Sequence, residues 1–251
     1  MKVAIVTGAS GGLGLRMLQE CRTVHPEIDE YWLVARNAAR MCDAARGIGR
    51  QCRIFSLDLT DSNSLSVIGR VLGELRPDVK LLINNAGCGY LGRFDETSPE
   101  RDCIMIDLNV RALTLMTKLV LPYMGRGSEI INTSSIASFC PNTRLNVYSA
   151  TKAYVTSFSR GLAAELRARD ITVCAVCPGP MKTDFITRGE IAGHSRTFDL
   201  LPYCDVRRCA RGALLASAAG CEVYTPTPFY KLYRALAKIL PVRVTVRIAG
   251  A

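Results

Sequence analysis

Long apolar runs are missing from this sequence. None of them approaches the ~20 residues that a membrane-spanning helix requires, so we expect no such helix. Internal repeats and low-complexity linkers are missing too, although the chain has 251 residues. Since α/β chains of this length commonly fold around one core, we expect a single domain over residues 1–251.

Histidine is scarce, because the sequence contains only His25 and His194. Among the eleven cysteines, Cys174 and Cys177 have the spacing of metal ligands, but they lie in an apolar run that predicts a buried strand. Side chains three positions apart on a strand point to opposite faces, so these two thiols cannot share an ion. We therefore predict no metal site.

A secretion-type leader is not seen, because Met1-Lys2 runs directly into the strand-like segment Val3–Val6. Eleven cysteines would otherwise suggest disulfides in a small secreted domain. We expect reduced thiols and a cytoplasmic location instead.

Nucleic-acid-binding motifs are lacking, even though the formal net charge is +10. Net charge informs about partners and not about the fold, and no recognised motif accompanies it here. We therefore expect no nucleic-acid partner. Acidic residues are absent from residues 231–251, a segment that contains five lysines and arginines.

The basic tail, about residues 228–251, begins with a segment that predicts a helix with apolar side chains at Leu232, Leu236 and Ile239. Residues 242–248 then alternate apolar and polar side chains. Two alternatives remain for this tail. It packs on the domain or on a second subunit with its cations in water, which we favour, or it makes a peripheral contact with an anionic membrane.

Seven short apolar runs predict strands. They are Val3–Thr7, Tyr31–Ala35, Arg53–Leu57, Lys80–Asn84, Glu129–Thr133, Thr172–Cys177 and Glu222–Thr225. The stretches between them predict helices, namely Leu13–Val24, Ser64–Leu75, Pro99–Met124, Val147–Arg169 and Asp205–Ala219. Alternation of strands and helices implies right-handed crossovers, so we expect an α/β fold with a doubly wound parallel sheet in three α/β/α layers.

Residues 180–204 differ from the rest, because they mix Pro, Gly, Thr and charged residues without a clear period. Loops of this length in compact domains are commonly lids or binding segments. We predict that they form a substrate lid.

The run Thr7–Gly14 follows the first predicted strand and opens the first predicted helix. Its glycines permit a tight turn, close approach of backbone N–H groups to a pyrophosphate, and close packing of the helix on the strand. The helix N-terminus also favours negative charge. This placement indicates dinucleotide binding.

An acid that grips the adenosine ribose, commonly found about 20 residues further on, is lacking. Ala35 occupies its place at the end of the second predicted strand, and Arg36 follows directly. A guanidinium there can pair with the 2′-phosphate of NADP, and Arg40 or Arg46 could share the role. We therefore expect NADP rather than NAD.

Several further motifs occur in a fixed order along the chain. After Thr7–Gly14 they are Asp58-Leu59, Asn84–Gly87, Asn109, Ser134-Ser135, Tyr148–Lys152 and Pro178–Thr183. Together they resemble a classical short-chain dehydrogenase/reductase over nearly the whole chain. The resemblance implies a Rossmann-like core and dimers or tetramers formed through the helices that carry Asn109 and Tyr148.

The resemblance also implies the functional residues. The implied catalytic tetrad is Asn109, Ser135, Tyr148 and Lys152. The residues that it implies for cofactor binding are Gly8, Ser10, Gly12, Leu13, Gly14, Asp58, Leu59, Asn85, Ala86, Gly87, Tyr148, Lys152, Pro178, Gly179, Met181 and Thr183. Asn109 would hold an ordered water that links Lys152 to solvent.

Tyr148 and Lys152 stand four residues apart in a predicted helix, so their side chains project from one face. A nearby ammonium stabilises a phenolate, and we expect it to lower the pKa of Tyr148. Tyr148 can then exchange a proton with a carbonyl or alcohol oxygen. Ser135 lies thirteen residues before Tyr148 and is preferred over Ser134, because that is the family's usual spacing; its hydroxyl would bind the substrate oxygen.

The segments expected near Tyr148 are the residues just after Ser135, such as Ala137 and Phe139, the Cys88–Phe94 loop and the lid. They offer a mostly apolar set of side chains. They are Phe94, Phe139, Leu145, Met181, Phe185, Ile186 and Phe198. Such a lining suits steroid-like, aromatic or fatty carbonyl compounds. The predicted function is an NADP-dependent oxidoreductase for a hydrophobic ketone or secondary alcohol; the alternatives are a 3-oxoacyl thioester reductase and a non-catalytic NADP(H)-binding redox sensor.

Overall fold

The computed structural model describes residues 1–189 and 201–249. Within them, the strands form one seven-stranded parallel sheet in the order β3-β2-β1-β4-β5-β6-β7. The strands are β1 Lys2–Thr7, β2 Glu30–Ala35, β3 Gln51–Ser56, β4 Asp78–Asn84, β5 Glu129–Thr133, β6 Thr172–Val176 and β7 Val223–Tyr224.

Helices cover both faces of this sheet. The α-helices are α1 Gly12–Val24, α2 Ala38–Ile48, α3 Ser62–Leu75, α4 Pro99–Ile106, α5 Leu113–Val120, α6 Asn146–Leu166, α7 Asp184–Arg188, α8 Val206–Ala218, α9 Pro228–Ile239 and α10 Val242–Ala249. One π-helical turn spans Asp107–Ala112, and short 3₁₀ turns span Leu121–Tyr123, Ile136–Ser138 and Arg167–Arg169.

Side chains alternate between two apolar layers because successive residues of a strand face opposite sides of the sheet. In β1, Ala4 and Val6 pack toward α1, α2 and α8, whereas Val3 and Ile5 pack toward α3, α5 and α6. The predicted α/β fold, a Rossmann-like doubly wound sheet in three layers, is confirmed.

The helix predictions need two corrections. The sequence analysis did not predict α2, although its ends have the usual signals: Asn37 accepts a hydrogen bond from the backbone N–H of Arg40, and Gly49 ends the helix in the left-handed region at φ 63°. The single helix predicted over Pro99–Met124 is interrupted by the π turn at Asp107–Ala112. The extra backbone residue of such a turn rotates the side chains that follow it.

A column of buried polar side chains ties two strands to two helices. Asn84 Nδ2 donates to Thr117 Oγ1 and to Asn132 Oδ1, each at 2.9 Å. Asn132 Nδ2 then donates to Ser159 Oγ at 2.9 Å. The column therefore runs from α5 through β4 and β5 to α6, beneath the carboxyl ends of the strands.

In this fold the cysteines are unpaired and the tail is helical. All eleven cysteines are free thiols, and Cys174 and Cys177 lie in different apolar clusters. Among the described residues, no helix has both the length and the apolar character needed to cross a bilayer. The tail forms the helices α9 and α10, so the alternating pattern after Pro241 belongs to a helix.

Candidate active site

The sequence-predicted residues converge at the carboxyl ends of β1 to β6. In the observed strand order, connections leave β1 and β4 in opposite directions, which opens a crevice between them. Ligands of open α/β sheets bind at such a switch point.

The glycine turn after β1 is built so that backbone atoms approach one another closely. Gly8 has φ +68°, and its N–H donates to Val34 O at 2.8 Å. A Cβ on Gly14 would lie 2.4 Å from Gly8 O. A side chain at Gly14 would therefore push α1 away from the turn, and a Cβ on Gly8 would lie 2.7 Å from Asn85 Nδ2.

The N-terminus of α1 faces the crevice. The helix begins at Gly12; no side chain of the described residues caps it, and no acid lies in its first turn. Unpaired N–H groups at a helix start attract anions. Ser10 lies half-exposed in the turn, whereas the side chain of Leu13 is buried in the core, so only its backbone can face a ligand.

Asn85 joins the ends of three strands. Its Nδ2 donates to Thr7 O at 3.3 Å, and its Oδ1 accepts from Thr133 Oγ1 at 3.3 Å. Thr7 Oγ1 in turn accepts from the backbone N–H groups of Asn85 and Ala86, at 2.9 and 3.0 Å. The Asn85–Gly87 backbone is thus fixed along the crevice floor, next to the glycine turn.

Arg36 lies at the carboxyl end of β2, and its side chain is 70% exposed. Its Nη1 is 3.8 Å from Asp58 Oδ2, while the other carboxylate oxygen accepts from the backbone and hydroxyl of Thr60. Partial burial acts to raise the pKa of Asp58, but the hydrogen bonds from Thr60 and the Arg36 charge outweigh it and lower that pKa. Leu59 is buried in the core beside them.

The two further arginines proposed for the 2′-phosphate have carboxylate partners. Arg40 Nη1 lies 2.7 Å from Asp184 Oδ2 in α7, and 4.0 Å from the place of a Cβ on Gly11. Arg46 pairs with Asp43 within α2. Arg40 therefore reaches the glycine turn, whereas Arg46 is held by its neighbour on the same helix.

Tyr148 and Lys152 lie together on the first turns of α6, as their spacing predicts. Both side chains are buried, and Lys152 Nζ is 5.7 Å from the centre of the Tyr148 ring. Lys152 Nζ also donates to Thr133 O at 2.8 Å, which orients the ammonium toward the end of β5.

Burial controls the ionisation of both groups. It raises the pKa of Tyr148 to about 12, although a hydrogen bond with Ser135 acts in the opposite direction. It lowers the pKa of Lys152 to about 8. The predicted lowering of the Tyr148 pKa by Lys152 is therefore wrong for this structure, because the lost hydration of the phenolate outweighs the groups that stabilise it.

The two adjacent serines after β5 have different partners. Ser134 Oγ donates to Lys152 O at 2.9 Å and lies 2.7 Å from Thr156 Oγ1, so it joins β5 to α6. Ser135 Oγ accepts from Ala137 N at 3.1 Å and is hydrogen-bonded to the Tyr148 hydroxyl. Of the two, Ser135 is the one that shares a site with Tyr148.

Asn109 lies in the π turn and is 1% exposed. Its Oδ1 accepts from Cys88 N at 2.9 Å, and its Nδ2 donates to Cys88 O at 2.8 Å and to Thr151 Oγ1 at 3.0 Å. A Cβ on Gly87 would lie 2.9 Å from Asn109 Oδ1 and 3.4 Å from Lys152 Nζ. Asn109 therefore fixes the chain after β4 next to Lys152.

The segment after β6 carries the remaining predicted cofactor residues. Pro178 O accepts from Ile136 N at 3.0 Å, and Thr183 lies across from Gly12, 3.6 Å from the place of its Cβ. A Cβ on Gly179 would lie 2.2 Å from Tyr230 Cε2. The absence of a side chain at Gly179 is thus required by the packing of α9, a contact that the sequence did not reveal.

The apolar set predicted around the substrate divides into two. Leu145, Phe185 and Ile186 pack with Tyr148 in one cluster, and the Phe185 ring centre is 5.7 Å from that of Tyr148. Phe139 and Met181 instead pack against Tyr230, Phe94 is 67% exposed, and Phe198 lies outside the described residues. Tyr90 and Leu91 of the Cys88–Phe94 loop also belong to the Tyr148 cluster, as expected from the sequence, whereas Met105 of α4 was not expected there.

Only the two ends of the predicted lid, residues 180–204, are described. At its start, α7 places Phe185 on Tyr148, and Gly189 O accepts from Leu91 N at 3.1 Å. A cleft of about 320 Å³ beside α7 is lined by Lys182, Thr183, Asp184, Ile186, Thr187 and Tyr203. Residues 190–200, with His194, lie outside the described residues.

Comparisons with known proteins agree with this geometry. The short chain dehydrogenase family matches residues 2–190. A Haemophilus influenzae protein named "Probable NADP-dependent dehydrogenase" is 35% identical over 179 residues, which are 70% of this chain and 70% of that protein. The fatty acyl-CoA reductase of Acinetobacter baylyi is 30% identical over 226 residues, 84% of this chain and 75% of that enzyme.

A solved structure shares the fold of this chain. The short-chain dehydrogenase from Sphingobium yanoikuyae, solved in complex with NADPH, superposes with a TM-score of 0.80 at 27% identity. The match covers 95% of this chain and 93% of that one.

Proposed function

Because the chain belongs to the short-chain dehydrogenase/reductase family of oxidoreductases, we propose that it is an NADP-dependent reductase of hydrophobic ketones, with Tyr148 as the proton donor. The observation that supports this proposal is the arrangement of two side chains around the Tyr148 phenol. The Tyr148 hydroxyl is hydrogen-bonded to Ser135 while Lys152 Nζ lies 5.7 Å from its ring, beside the glycine turn of β1.

The residues present fit a dinucleotide. Gly8 and Gly14 keep the turn after β1 compact, and the uncapped N–H groups at the start of α1 are open to a phosphate. Arg36 is exposed at the place where a 2′-phosphate would lie, and Ala35 before it has no carboxylate to repel that phosphate. This supports NADP over NAD, as does the NADPH bound in the Sphingobium yanoikuyae enzyme.

The proposed proton step follows from burial. When bound, the reduced nicotinamide supplies the hydride. Tyr148, with a pKa raised to about 12, is protonated at neutral pH and can donate that proton to a carbonyl oxygen. Ser135 Oγ donates a hydrogen bond to the same oxygen, and the Lys152 ammonium stabilises the phenolate that forms.

Asn109 acts on this site indirectly, by fixing the backbone segments next to Lys152. Its amide fixes Cys88 by two backbone hydrogen bonds and contacts Thr151, the residue before Lys152. We assign to Asn109 the role of a positioning residue, and the ordered water next to it is part of the same proposal. The backbones at Asn85–Gly87 and Thr183 complete the proposed cofactor contacts.

The substrate class is proposed from the wall around Tyr148. Leu91, Leu145, Phe185 and Ile186 surround the phenol with apolar surface. Such a wall favours a flat or branched apolar ketone over a sugar, because burying hydroxyl groups without partners costs free energy. A 3-oxoacyl thioester is the second candidate, and the Acinetobacter baylyi relative, named for a fatty acyl-CoA, shows that a similar chain is named for a fatty thioester substrate.

The remaining parts of the proposal concern assembly and location. Exposed apolar side chains at Ile104, Ile106, Leu115 and Tyr154 lie on the helices next to Asn109 and Tyr148. We propose this face as the contact of a homodimer or homotetramer. The eleven unpaired thiols support a cytoplasmic location.

The test is NADPH oxidation with a panel of steroidal, aromatic and alkyl ketones, aldehydes and 3-oxoacyl thioesters. We expect turnover of apolar ketones, and a loss of at least about a hundredfold in kcat for Tyr148→Phe, because the general acid is removed. Tyr154→Phe is the matched control on the exposed side of α6 and should keep full activity. Full activity of Tyr148→Phe would refute the proposed mechanism, and binding of NADPH without turnover of any panel member would favour a redox sensor.

A further inference from the structure

Within the part of the chain that the structure describes, α9 contacts the domain through one face. Tyr230 is fully buried, and its hydroxyl donates to Pro202 O at 2.7 Å. One turn further along, Tyr233 Oη lies 2.6 Å from Cys140 Sγ, and Arg234 Nη1 donates to Val223 O at 3.2 Å. These contacts fix the orientation of α9, and therefore also fix which of its faces points away from the domain.

A second face of α9 is apolar and uncovered. Phe229, Leu232, Leu236 and Ile239 are 53%, 61%, 43% and 78% exposed. Their spacing of three, four and three residues places them on one side of the helix, which is not the side of Tyr230. A stripe of four large apolar side chains in water is unfavourable, so a partner for it is expected.

The stripe continues around the corner between the two tail helices. Pro241 ends α9, and Pro241 O accepts from Val244 N at 2.9 Å as α10 begins. Val242 is 64% exposed, and with Ile239 it places two bulky apolar side chains at the corner. The tail thus presents an apolar stripe and a protruding apolar edge.

Cations flank this apolar surface. Lys231 and Lys238 lie on a third side of α9, and Arg243 and Arg247 are exposed on α10. Residues 223–251 contain no Asp or Glu. A second copy of the chain docked through this surface would bring cations against cations, which is unfavourable, whereas an anionic surface is complementary to them.

We propose that α9 and α10 form an interfacial anchor that rests on an anionic phospholipid bilayer, with the apolar stripe in the acyl boundary and the cations at the headgroups. Surface-lying helices combine these properties: a wide apolar face, basic residues at its borders and too little length to span. The inner face of α9 packs on Ile136, the residue after Ser135, so the anchor would hold the active site close to membrane-dissolved apolar compounds.

Vesicle flotation with the full chain tests the proposal. We expect the protein to float with phosphatidylcholine vesicles that contain phosphatidylglycerol, to remain unbound with pure phosphatidylcholine, and to be released by high salt. Flotation is measured without cofactor or substrate, so its result does not depend on the proposed reaction. A wild-type protein that stays unbound with the anionic vesicles would overturn the proposal.

Two sets of variants separate the apolar stripe from the charges. The triple variant Leu232→Gln, Leu236→Gln and Ile239→Gln should lose at least about tenfold in vesicle partitioning, because the stripe no longer inserts. Leu215→Gln is its control, since Leu215 is 50% exposed on α8, away from the tail. The control should float like wild type, and all variants should keep the wild-type melting temperature and the same turnover of a water-soluble ketone.

The triple variant Lys231→Gln, Lys238→Gln and Arg243→Gln should weaken partitioning by about a hundredfold, because each basic residue at an anionic surface contributes about fivefold. Arg126→Gln, which removes an 88% exposed cation far from the tail, should have no effect. Unchanged flotation of either triple variant would overturn the proposal. So would an apolar-stripe variant that splits a wild-type oligomer in light scattering, since a second copy would then cover the stripe.

Discussion

Replacement of Lys152 by methionine should make the protein more stable and nearly inactive. Lys152 is 4% exposed, and burial lowers its pKa from 10.5 to about 8. A lysine that is harder to protonate in the folded state than in the unfolded state opposes folding whenever it is charged. Methionine has a similar length and no charge to desolvate.

The magnitude follows from the two pKa values. The difference between 10.5 and about 8 corresponds to about 3 kcal/mol at neutral pH. The variant loses the hydrogen bond from Nζ to Thr133 O, which is worth about 1.5 kcal/mol because its donor is charged. The net gain is about 1.5 kcal/mol, or about 3 to 6 °C in melting temperature for a chain of this size.

The sign of the pH dependence distinguishes this explanation from better packing. Between about pH 8 and 10.5 the unfolded lysine still binds a proton that the folded one has released, so wild-type stability rises with pH. The advantage of Lys152→Met should therefore shrink over that range and vanish above it. A gain from packing alone would be independent of pH.

The measurement is urea unfolding followed by tryptophan fluorescence, because Trp32 is the single tryptophan and is fully buried. Lys118→Met, on the exposed side of α5, is the control and should change stability by less than about 0.5 kcal/mol. In wild type, kcat/KM for ketone reduction should fall above about pH 8, where Lys152 loses its charge. An unchanged or lowered stability of Lys152→Met near neutral pH would refute the reasoning.

Three further substitutions test other parts of the site. Arg36→Leu should raise KM for NADPH about ten- to a hundredfold and leave KM for NADH nearly unchanged, because a charge-assisted pair with the 2′-phosphate is lost. Ser135→Ala should lower kcat about a hundredfold, because the hydroxyl that binds the substrate oxygen is lost. Ser134→Ala should cost about 1 kcal/mol of stability with little loss of activity. Equal effects of the two variants on kcat would contradict the different roles assigned to the two serines. Gly179→Ala should destabilise the protein by about 1 to 3 kcal/mol in thermal unfolding, because its Cβ would meet the packed ring of Tyr230. The control Gly47→Ala, whose Cβ would have no atom within 4 Å, should stabilise the protein by about 0.5 to 1 kcal/mol.

Strands and helix faces, which are determined by residues close together in the sequence, were predicted best. Each strand was placed to within a few residues, because a buried parallel strand is an apolar run of β-formers between turns. The fourfold spacing of Tyr148 and Lys152 predicted their shared face, because a helix brings residues four apart together.

Features that depend on distant segments were not predictable in this way. The π turn around Asn109 interrupts a segment whose sequence predicts one helix, and it carries the amide that binds the Cys88 backbone after β4. The pKa of Tyr148 is raised by burial, and Phe185 packs on its ring. The two residues are 37 positions apart in the sequence, so this contact is visible only in the folded chain. Gly179 was assigned to the cofactor by resemblance, although the ring of Tyr230 fills its missing side chain.

The amide and hydroxyl column through Asn84 and Asn132 has a practical meaning for anyone who wishes to redesign this catalyst. Each of its bonds is directional, so together they set the rotation of α5 and α6 relative to the sheet, which an apolar core of equal volume would not do. Libraries aimed at a new substrate would vary Leu91 and Leu145, which pack with Tyr148, and would keep apolar side chains of similar volume there because both are buried. They should leave the column intact, because it fixes α6, the helix that carries Tyr148.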